Sequence, residues 1–344
     1  MNKVTVTDQI STHLQKTLSK ANASKVAVLV DENTAMYCLP IIRDLVHDCI
    51  LIQIKAGEQN KNISTCLNIW QKMTDEKLDR SALLINLGGG VIGDMGGFCA
   101  ATYKRGIRFI NIPTTLLAQV DASIGGKLGI DFGSLKNHIG LFHEPEETVV
   151  DPVFLQTLPE CELKSGFAEM LKHGLISDEV YFKRLSRLNH PNEITADDIA
   201  HSIMLKKQVV EKDPKEKGLR KILNFGHTIG HAVESHYLTT DHPLLHGEAI
   251  AIGMVCEAYL AQIIGKLPQS AAEEIHQVMK RFYPMKSLPE SSVLLTLMQH
   301  DKKNSRQTLS FSLLSTIGKC DFDCKADSHQ ILEALAIYES CERA

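Results

Sequence analysis

The sequence predicts an α/β protein in which an N-terminal domain built on a parallel sheet is followed by a mainly α-helical C-terminal domain. Three observations carry that prediction. Short apolar, β-branched runs alternate with helical patterns through the first half, the signature of βαβ units. The alternation stops at Asp151-Pro152 and Leu158-Pro159, which puts the boundary near Leu155 and the domains at 1–155 and 156–344. At 344 residues the chain also exceeds what one ordinary core organises.

Segment 25–31 (KVAVLVD) reads as a strand ending in Asp31-Glu32-Asn33, and 50–55 as a second, followed by a turn holding Glu58 and Lys61. A helical pattern covers 62–76. Segment 83–87 (LLINL) is apolar enough for burial on both faces, as in a parallel sheet, and 109–112 (FINI) is a fourth strand. Beyond the boundary, helical patterns run over 160–175, 181–188, 196–213, 222–236, 247–264, 269–282 and 291–300. A short β-like pair at 308–316 precedes a last helix from Ser328.

Composition narrows the function classes. With 44% apolar and 23% charged residues the chain is of soluble globular type, and its net charge of −4 argues against a nucleic-acid surface. Nine cysteines without a CxxC pair make no disulfide framework and fit a reducing cytosol. No signal-like apolar segment stands at the N-terminus, and no run approaches the roughly eighteen apolar residues of a membrane span. A cytoplasmic protein acting on a small molecule is expected.

The third strand runs into Gly88-Gly89-Gly90-Val91-Ile92-Gly93-Asp94, with a helix expected over 95–103. Glycines there let a backbone approach a pyrophosphate, and the helix N-terminus offers unpaired N–H groups. No acid lies about twenty residues further on to hold a ribose. The acid candidates, Asp31 and Glu58, stand upstream, so a dinucleotide site of different topology is expected, against the alternative of a turn kept for tight packing. After the fourth strand come Thr114, Thr115 and Asp121, then Gly125-Gly126-Lys127 and Lys136-Asn137-His138. Lys104, Arg105 and Arg108 form a basic cluster beside the fourth strand and are expected near its ligand-bearing end.

In the second half His227 and His231 are four apart on one expected helix face, and His246 follows beside Gly247-Glu248. Three imidazoles so close suggest a divalent-metal site, against the alternative of a surface helix with satisfied histidines. Glu169, among apolar neighbours and three residues before Lys172, adds a carboxylate. Such a set leaves a position open on Zn²⁺ for substrate. Lys206, Lys207, Arg220, Lys302 and Lys303 add cations suited to an anionic substrate.

Together the motifs GGGVIGD, ATYKRG, PTTLLAQVDASIGGK, KNHIG, FAEMLKHG, DPKEKGLR, LNFGHTIGHA and HGEAIAIGM, in this order, resemble the 3-dehydroquinate synthase family over nearly the whole chain. The resemblance implies a lyase of the shikimate pathway, in aromatic amino acid biosynthesis. Its substrate is 3-deoxy-D-arabino-heptulosonate 7-phosphate, a sugar-acid phosphate, and its products are 3-dehydroquinate and phosphate. NAD takes up and returns a hydride, Zn²⁺ or Co²⁺ assists, and elimination, ring opening and an aldol closure follow. The implied metal ligands are Glu169, His227 and His246, which moves His231 to the substrate.

Lys127, Asn137, Lys172, Lys206, Arg220, Asn224 and one of Lys302 and Lys303 match substrate-contacting positions, and Asp121 matches an active-site carboxylate. Arg105 matches an arginine that contacts phosphate across a homodimer interface. On the NAD side the implied residues are Asp31, Asn33, Glu58, Lys61, Gly89, Gly90, Val91, Asp94, Thr114, Thr115, Lys127 and Lys136. Asn224 and Arg220, one and two turns before His227, are expected to extend its helix face. Leu128, His138 and His173 depart from the residues usual at their positions and remove no named ligand or cation. Other sugar-phosphate cyclases are the nearest rivals, followed by a metal-dependent polyol dehydrogenase, which would leave Lys127, Lys172, Lys206 and Arg220 without a role.

Overall fold

Runs too apolar for one-sided burial become the middle of an all-parallel sheet. The structure is a computed structural model and describes residues 3–133, 135–238, 240–300 and 309–343. The chain divides between Pro159 and Glu160 into two compact units.

The sheet of the first unit contains β1 (Lys3–Val6), β2 (Val26–Asp31), β3 (Ile50–Ile54), β4 (Leu83–Gly88) and β5 (Arg108–Pro113). An antiparallel hairpin follows, β6 (Lys127–Phe132) with β7 (Leu135–Phe142), and β8 (Glu147–Val150) completes the sheet. Strand order is β1-β8-β5-β4-β2-β3, every pairing parallel. The four expected strands are β2 to β5; β1, β8 and the hairpin are additions. The helices are α1 (Ile10–Ala21), α2 (Glu32–Tyr37), α3 (Leu39–Val46), α4 (Ile63–Asp75) and α5 (Gly90–Thr102).

Alternate residues of the strands feed two cores. Val28, Val30, Ile85 and Ile112 pack with Leu14 and Ile42 of α1 and α3. Ala27, Leu29 and Leu84 pack with Ile69 and Met95 of α4 and α5. The connection from β2 leads to β3 on one side, and that from β4 leads to β5 on the other. The switch point therefore lies at the carboxyl ends of β2 and β4, where open α/β sheets form their ligand crevice. Asp31 and the three glycines occupy those ends.

The basic cluster falls elsewhere than expected. Arg108 opens β5 at its amino end and donates to the carbonyls of Ala21 (2.7 Å) and Ser81 (2.8 Å). Lys104 and Arg105 precede it in a tight turn with φ of 51° and 70°. A cation that ties a strand's start to flanking segments, as Arg108 does, reads in sequence like one at its end.

The second unit is helical: α6 (Glu160–Ser177), α7 (Glu179–Leu185), α8 (Ala196–Lys212), α9 (His227–Tyr237), α10 (His246–Ile263), α11 (Gln269–Phe282) and α12 (Ser291–His300). A hairpin of β9 (Leu309–Thr316) and β10 (Lys319–Ala326) precedes α13 (Ser328–Arg343). Helix α10 is apolar all round and buried along nearly its whole length, so it forms the centre of this unit. All nine cysteines are thiols.

The helix expected over 222–236 is two pieces. A 3₁₀ segment (Leu219–Asn224) ends before Gly226, whose φ of +80° breaks the helical path, and α9 begins afresh at His227. Arg220 and Asn224 therefore do not continue the face of His227. The break lets α9 cross α10 backbone to backbone. A Cβ on Gly253 would stand 2.0 Å from the Gly226 carbonyl oxygen and 2.6 Å from the Gly230 nitrogen.

Two stability predictions follow from this packing. Gly253→Ala should cost about 2–3 kcal/mol or more, because both obstacles are backbone, read as a lower denaturant midpoint. A midpoint equal to the parent's would contradict the close crossing. The second concerns Glu147, which accepts hydrogen bonds from Lys3, Thr5, His13 and Thr17. Burial pushes its carboxyl up, but those four partners outweigh burial and hold it at about 2, below its ordinary 4.5. A depressed carboxyl contributes stability above its unfolded value that is lost as pH falls through the folded one. Glu147→Gln should flatten the loss of stability between about pH 4.5 and 2.

Candidate active site

In the first unit β4 delivers the chain into α5 through Gly89, which caps the helix without a side-chain hydrogen bond. The first amides of α5 are thus left for an anion. Helix α5 starts at Gly90, five residues earlier than expected, so Gly90, Val91 and Asp94 all lie in its opening turns. A Cβ on Gly89 would meet Thr115 Cγ2 at 3.0 Å, so the turn is already as tight as a side chain would allow. Gly90, Gly93, Asp94, Ser123, Lys127 and Leu128 line a small cavity there. These features fit a dinucleotide pyrophosphate.

Lys61 organises the rest of this part. It is buried, and its ammonium reaches Asp94 Oδ2 and Asn137 Oδ1, both at 2.7 Å, with Glu58 at 3.9 Å. Burial pulls the Lys61 amine down, but Asp94 and Glu58 outweigh it and the amine stays above its usual range. Glu58 goes up, chiefly through burial. Asp31 accepts from the Thr34 amide (2.8 Å) and caps α2, leaving Asn33 exposed in the first turn. Thr114 is buried just past β5, and Thr115 accepts from the Ala118 amide (3.1 Å). Asp121 lies in the single π-helical turn that follows. Lys127 begins β6, and Lys136 and Asn137 lie on exposed β7.

The second unit brings the expected ligands together. Glu169 is fully buried on α6, with Lys172 paired to it one turn on. Its Oε1 lies 3.6 Å from Nε2 of both His227, the first residue of α9, and His246, the first of α10. Ligand atoms at Zn–N and Zn–O lengths of about 2.0–2.1 Å sit about 3.3 Å apart on a tetrahedron. These spacings are long for hydrogen bonds and near that edge, so the set fits a divalent metal.

The outer nitrogens complete the arrangement. His227 Nδ1 is 3.1 Å from the Phe225 carbonyl and His246 Nδ1 is 3.5 Å from Glu234 Oε2, the contacts that turn an imidazole's other nitrogen to a metal. Burial, then the Lys172 charge, holds His227 well below its usual value and so neutral, the form that ligates. Burial also pulls on His246, but Glu169 and Glu234 outweigh it and raise the ring to about 9. The carboxylates there demand a positive charge.

His231 is exposed one turn beyond His227, with ring centroids 5.0 Å apart. It forms another compact grouping with Glu234 and His246, in which the Glu234 carboxylate keeps a little exposed surface where Glu169 has none. The DPKEKGLR loop places two more expected residues. Arg220 is buried and donates to the Pro214 carbonyl (2.7 Å), and Asn224 donates to Glu216 Oε1 (2.7 Å). Lys206 is buried on α8; Lys302 and Lys303 lie outside the described residues.

Two glutamates were missed. Glu257 is the single acid inside the apolar stretch of α10, and Glu234 stands seven residues after His227; both spacings were visible in the sequence. Of the three departures, Leu128 is a core residue packed on Gly97, and His138 stacks on Phe132 with centroids 6.4 Å apart. His173 is buried against the Ser202 hydroxyl (2.8 Å).

Residues 51–165 match the family described as 3-dehydroquinate synthase N-terminal, and residues 166–304 its C-terminal counterpart. The chain is 40% identical to 3-dehydroquinate synthase of Parabacteroides distasonis over 347 aligned residues, covering 98% of this chain and 97% of that one. Among solved structures it is similar to 2-epi-5-epi-valiolone synthase of Streptomyces hygroscopicus subsp. jinggangensis with NAD⁺ and Zn²⁺ bound. There the TM-score is 0.88 at 26% identity, over 100% of this chain and 98% of that one. A 2-deoxy-scyllo-inosose synthase complexed with carbaglucose-6-phosphate, NAD⁺ and Co²⁺ shares the fold, with TM-score 0.84 and 23% identity over 96% and 95% of the two chains. None of the helices among the described residues is long and apolar enough to cross a membrane. The chain belongs to the 3-dehydroquinate synthase family.

Proposed function

We propose that this protein is a 3-dehydroquinate synthase, dependent on NAD and a divalent metal. It converts 3-deoxy-D-arabino-heptulosonate 7-phosphate to 3-dehydroquinate and phosphate. The observation that carries the reading is the buried Glu169 between the two imidazoles, in a chain 40% identical to such a synthase from end to end. When bound, NAD and the metal supply a reversible hydride acceptor and a Lewis acid.

The chain's own residues do the rest. Glu169, His227 and His246 hold the metal. The amides of Gly89, Gly90 and Val91 take the pyrophosphate, while Asp31, Asn33, Glu58, Lys61, Asp94, Thr114, Thr115, Lys127 and Lys136 hold the remainder of the cofactor. Lys61 binds the Asn137 amide oxygen, which leaves that side chain's NH₂ to donate to a substrate hydroxyl. Lys172, Lys206 and Arg220 are buried cations, each suited to a carboxylate or phosphate that has left water. Lys127, Asn224, His231 and one of Lys302 and Lys303 complete the substrate contacts, with Asp121 as the site's second carboxylate. The reading extends to a cytoplasmic homodimer in which exposed Arg105 reaches the phosphate bound by the other copy.

Phosphate release with the heptulosonate phosphate, NAD⁺ and Zn²⁺ or Co²⁺ tests the reaction, with no net NADH expected. Stoichiometric NADH would identify a polyol dehydrogenase instead, and turnover of heptulose 7-phosphate alone another cyclase. Glu169→Ala and His227→Ala should lose bound metal, while His231→Ala keeps it and loses at least about 100-fold in kcat. Equal metal content in all three would refute the ligand assignment. Lys127→Ala should lose most turnover and still bind NAD⁺; lost NAD⁺ affinity would move it to the cofactor site alone.

A further inference from the structure

Glu234 and Glu257 stand beside the metal set, both buried, and neither has a part in the chemistry above. A carboxylate in such surroundings is costly unless donors surround its oxygens. Glu257 interrupts an otherwise apolar helix centre, and its oxygens accept the amides of Gly226 (2.7 Å) and Ile229 (3.1 Å). Those amides belong to the N-cap and third residue of α9. Gly226 has no side chain with which to cap, so the donors that serine or aspartate would ordinarily satisfy are satisfied from a neighbouring helix.

The consequence falls on His227, which lies between the two clamped amides. Its Nδ1 contacts the carbonyl of Phe225, the residue before the clamp, and its Nε2 faces Glu169. The pivot of this imidazole is therefore fixed by Glu257. Two turns along α9, Glu234 faces Nδ1 of His246, whose Nε2 also faces Glu169. Each helix thus brings one imidazole and holds the other's: α9 carries His227 and Glu234, α10 carries His246 and Glu257.

We propose that Glu234 and Glu257 are reciprocal positioning residues that fix the two histidine ligands relative to Glu169 and so set metal affinity and coordination geometry. The proposal rests on the reading of Glu169, His227 and His246 as the metal ligands. A merely structural role for either glutamate would change unfolding without changing the bound metal's surroundings.

The test uses the full chain carrying Glu234→Gln, Glu257→Gln or Glu169→Ala. Zinc Kd is measured by chelator competition, the Co²⁺-loaded protein by visible absorption, and folding by circular dichroism. Loss of an orienting partner should weaken zinc binding roughly 10–100-fold and alter the Co²⁺ bands in variants folded like the parent. Parent-like zinc Kd and Co²⁺ spectrum in a folded variant overturn the role of that glutamate. If Glu257→Gln does not fold, Glu257→Asp, which keeps the carboxylate and shortens its reach, is read in the same way. Glu169→Ala separates the two levels: parent-like zinc binding there sinks the ligand assignment itself, whereas its loss with unchanged Glu234 and Glu257 variants sinks only the positioning roles.

Discussion

A carboxylate with no surface in contact with water can stay ionised only if positive charge or donors surround it, and Glu169 is such a group. Much of the second unit follows from meeting that condition. Lys172 comes from the next turn of the same helix, and His227 and His246 arrive as the first residues of two others. Three helices must therefore end or pass at one point. The Gly247 amide donates to Ser165 Oγ (3.0 Å) where α10 starts against α6, and Gly253 lets α9 cross α10 in backbone contact. The small residues are placed where the helices carrying these side chains approach closely.

The first unit obeys a different constraint. Open parallel sheets bind ligands outside the carboxyl ends of their strands, and the change of winding direction between β2 and β4 places the crevice there. The backbone at Gly89 and the buried Lys61 ammonium, paired to Asp94 of α5, make these surroundings polar. Lys61 joins two functions, since Asp94 belongs to the cofactor reading and Asn137 to the substrate reading. In the proposed function one ammonium would couple the bound cofactor to the substrate's orientation.

What could be read from sequence was what local pattern encodes. Strands β2, β4 and β5 are buried on both faces and so appear as nearly unbroken apolar runs, whereas edge strand β3 alternates buried Ile52 and Ile54 with exposed Leu51 and Gln53. Strand β1 is only four residues long, and β7 is exposed along nearly its whole length, so neither gives an apolar run or a clean alternation. The broken helix before His227 failed for a different reason. LRKILNFGHTIGHA has helical periodicity throughout, and what breaks it is Gly226 at positive φ, held by Glu257 thirty-one residues later. The grouping of Glu169, His227 and His246 was legible as a candidate because its residue types are rare together, although spacing alone did not separate His227 from His231. That separation came from family resemblance; in the structure Glu169 Oε1 stands 3.6 Å from Nε2 of both His227 and His246.

Charge distribution bears on which substrate the site can accept. The chain carries a net −4, yet the helical unit buries Lys172, Lys206 and Arg220. Buried cations raise the cost of folding unless compensated, and the protein compensates them in part with Glu169 and the Pro214 carbonyl. A neutral polyol would add nothing to that compensation. A substrate carrying both a carboxylate and a phosphate brings up to three negative charges to the same groups, and each is worth more there than in water because the surroundings are poorly polarisable. In the proposed function, cations that are costly to bury would become binding energy for a polyanion, and their burial favours the heptulosonate phosphate over an uncharged alcohol.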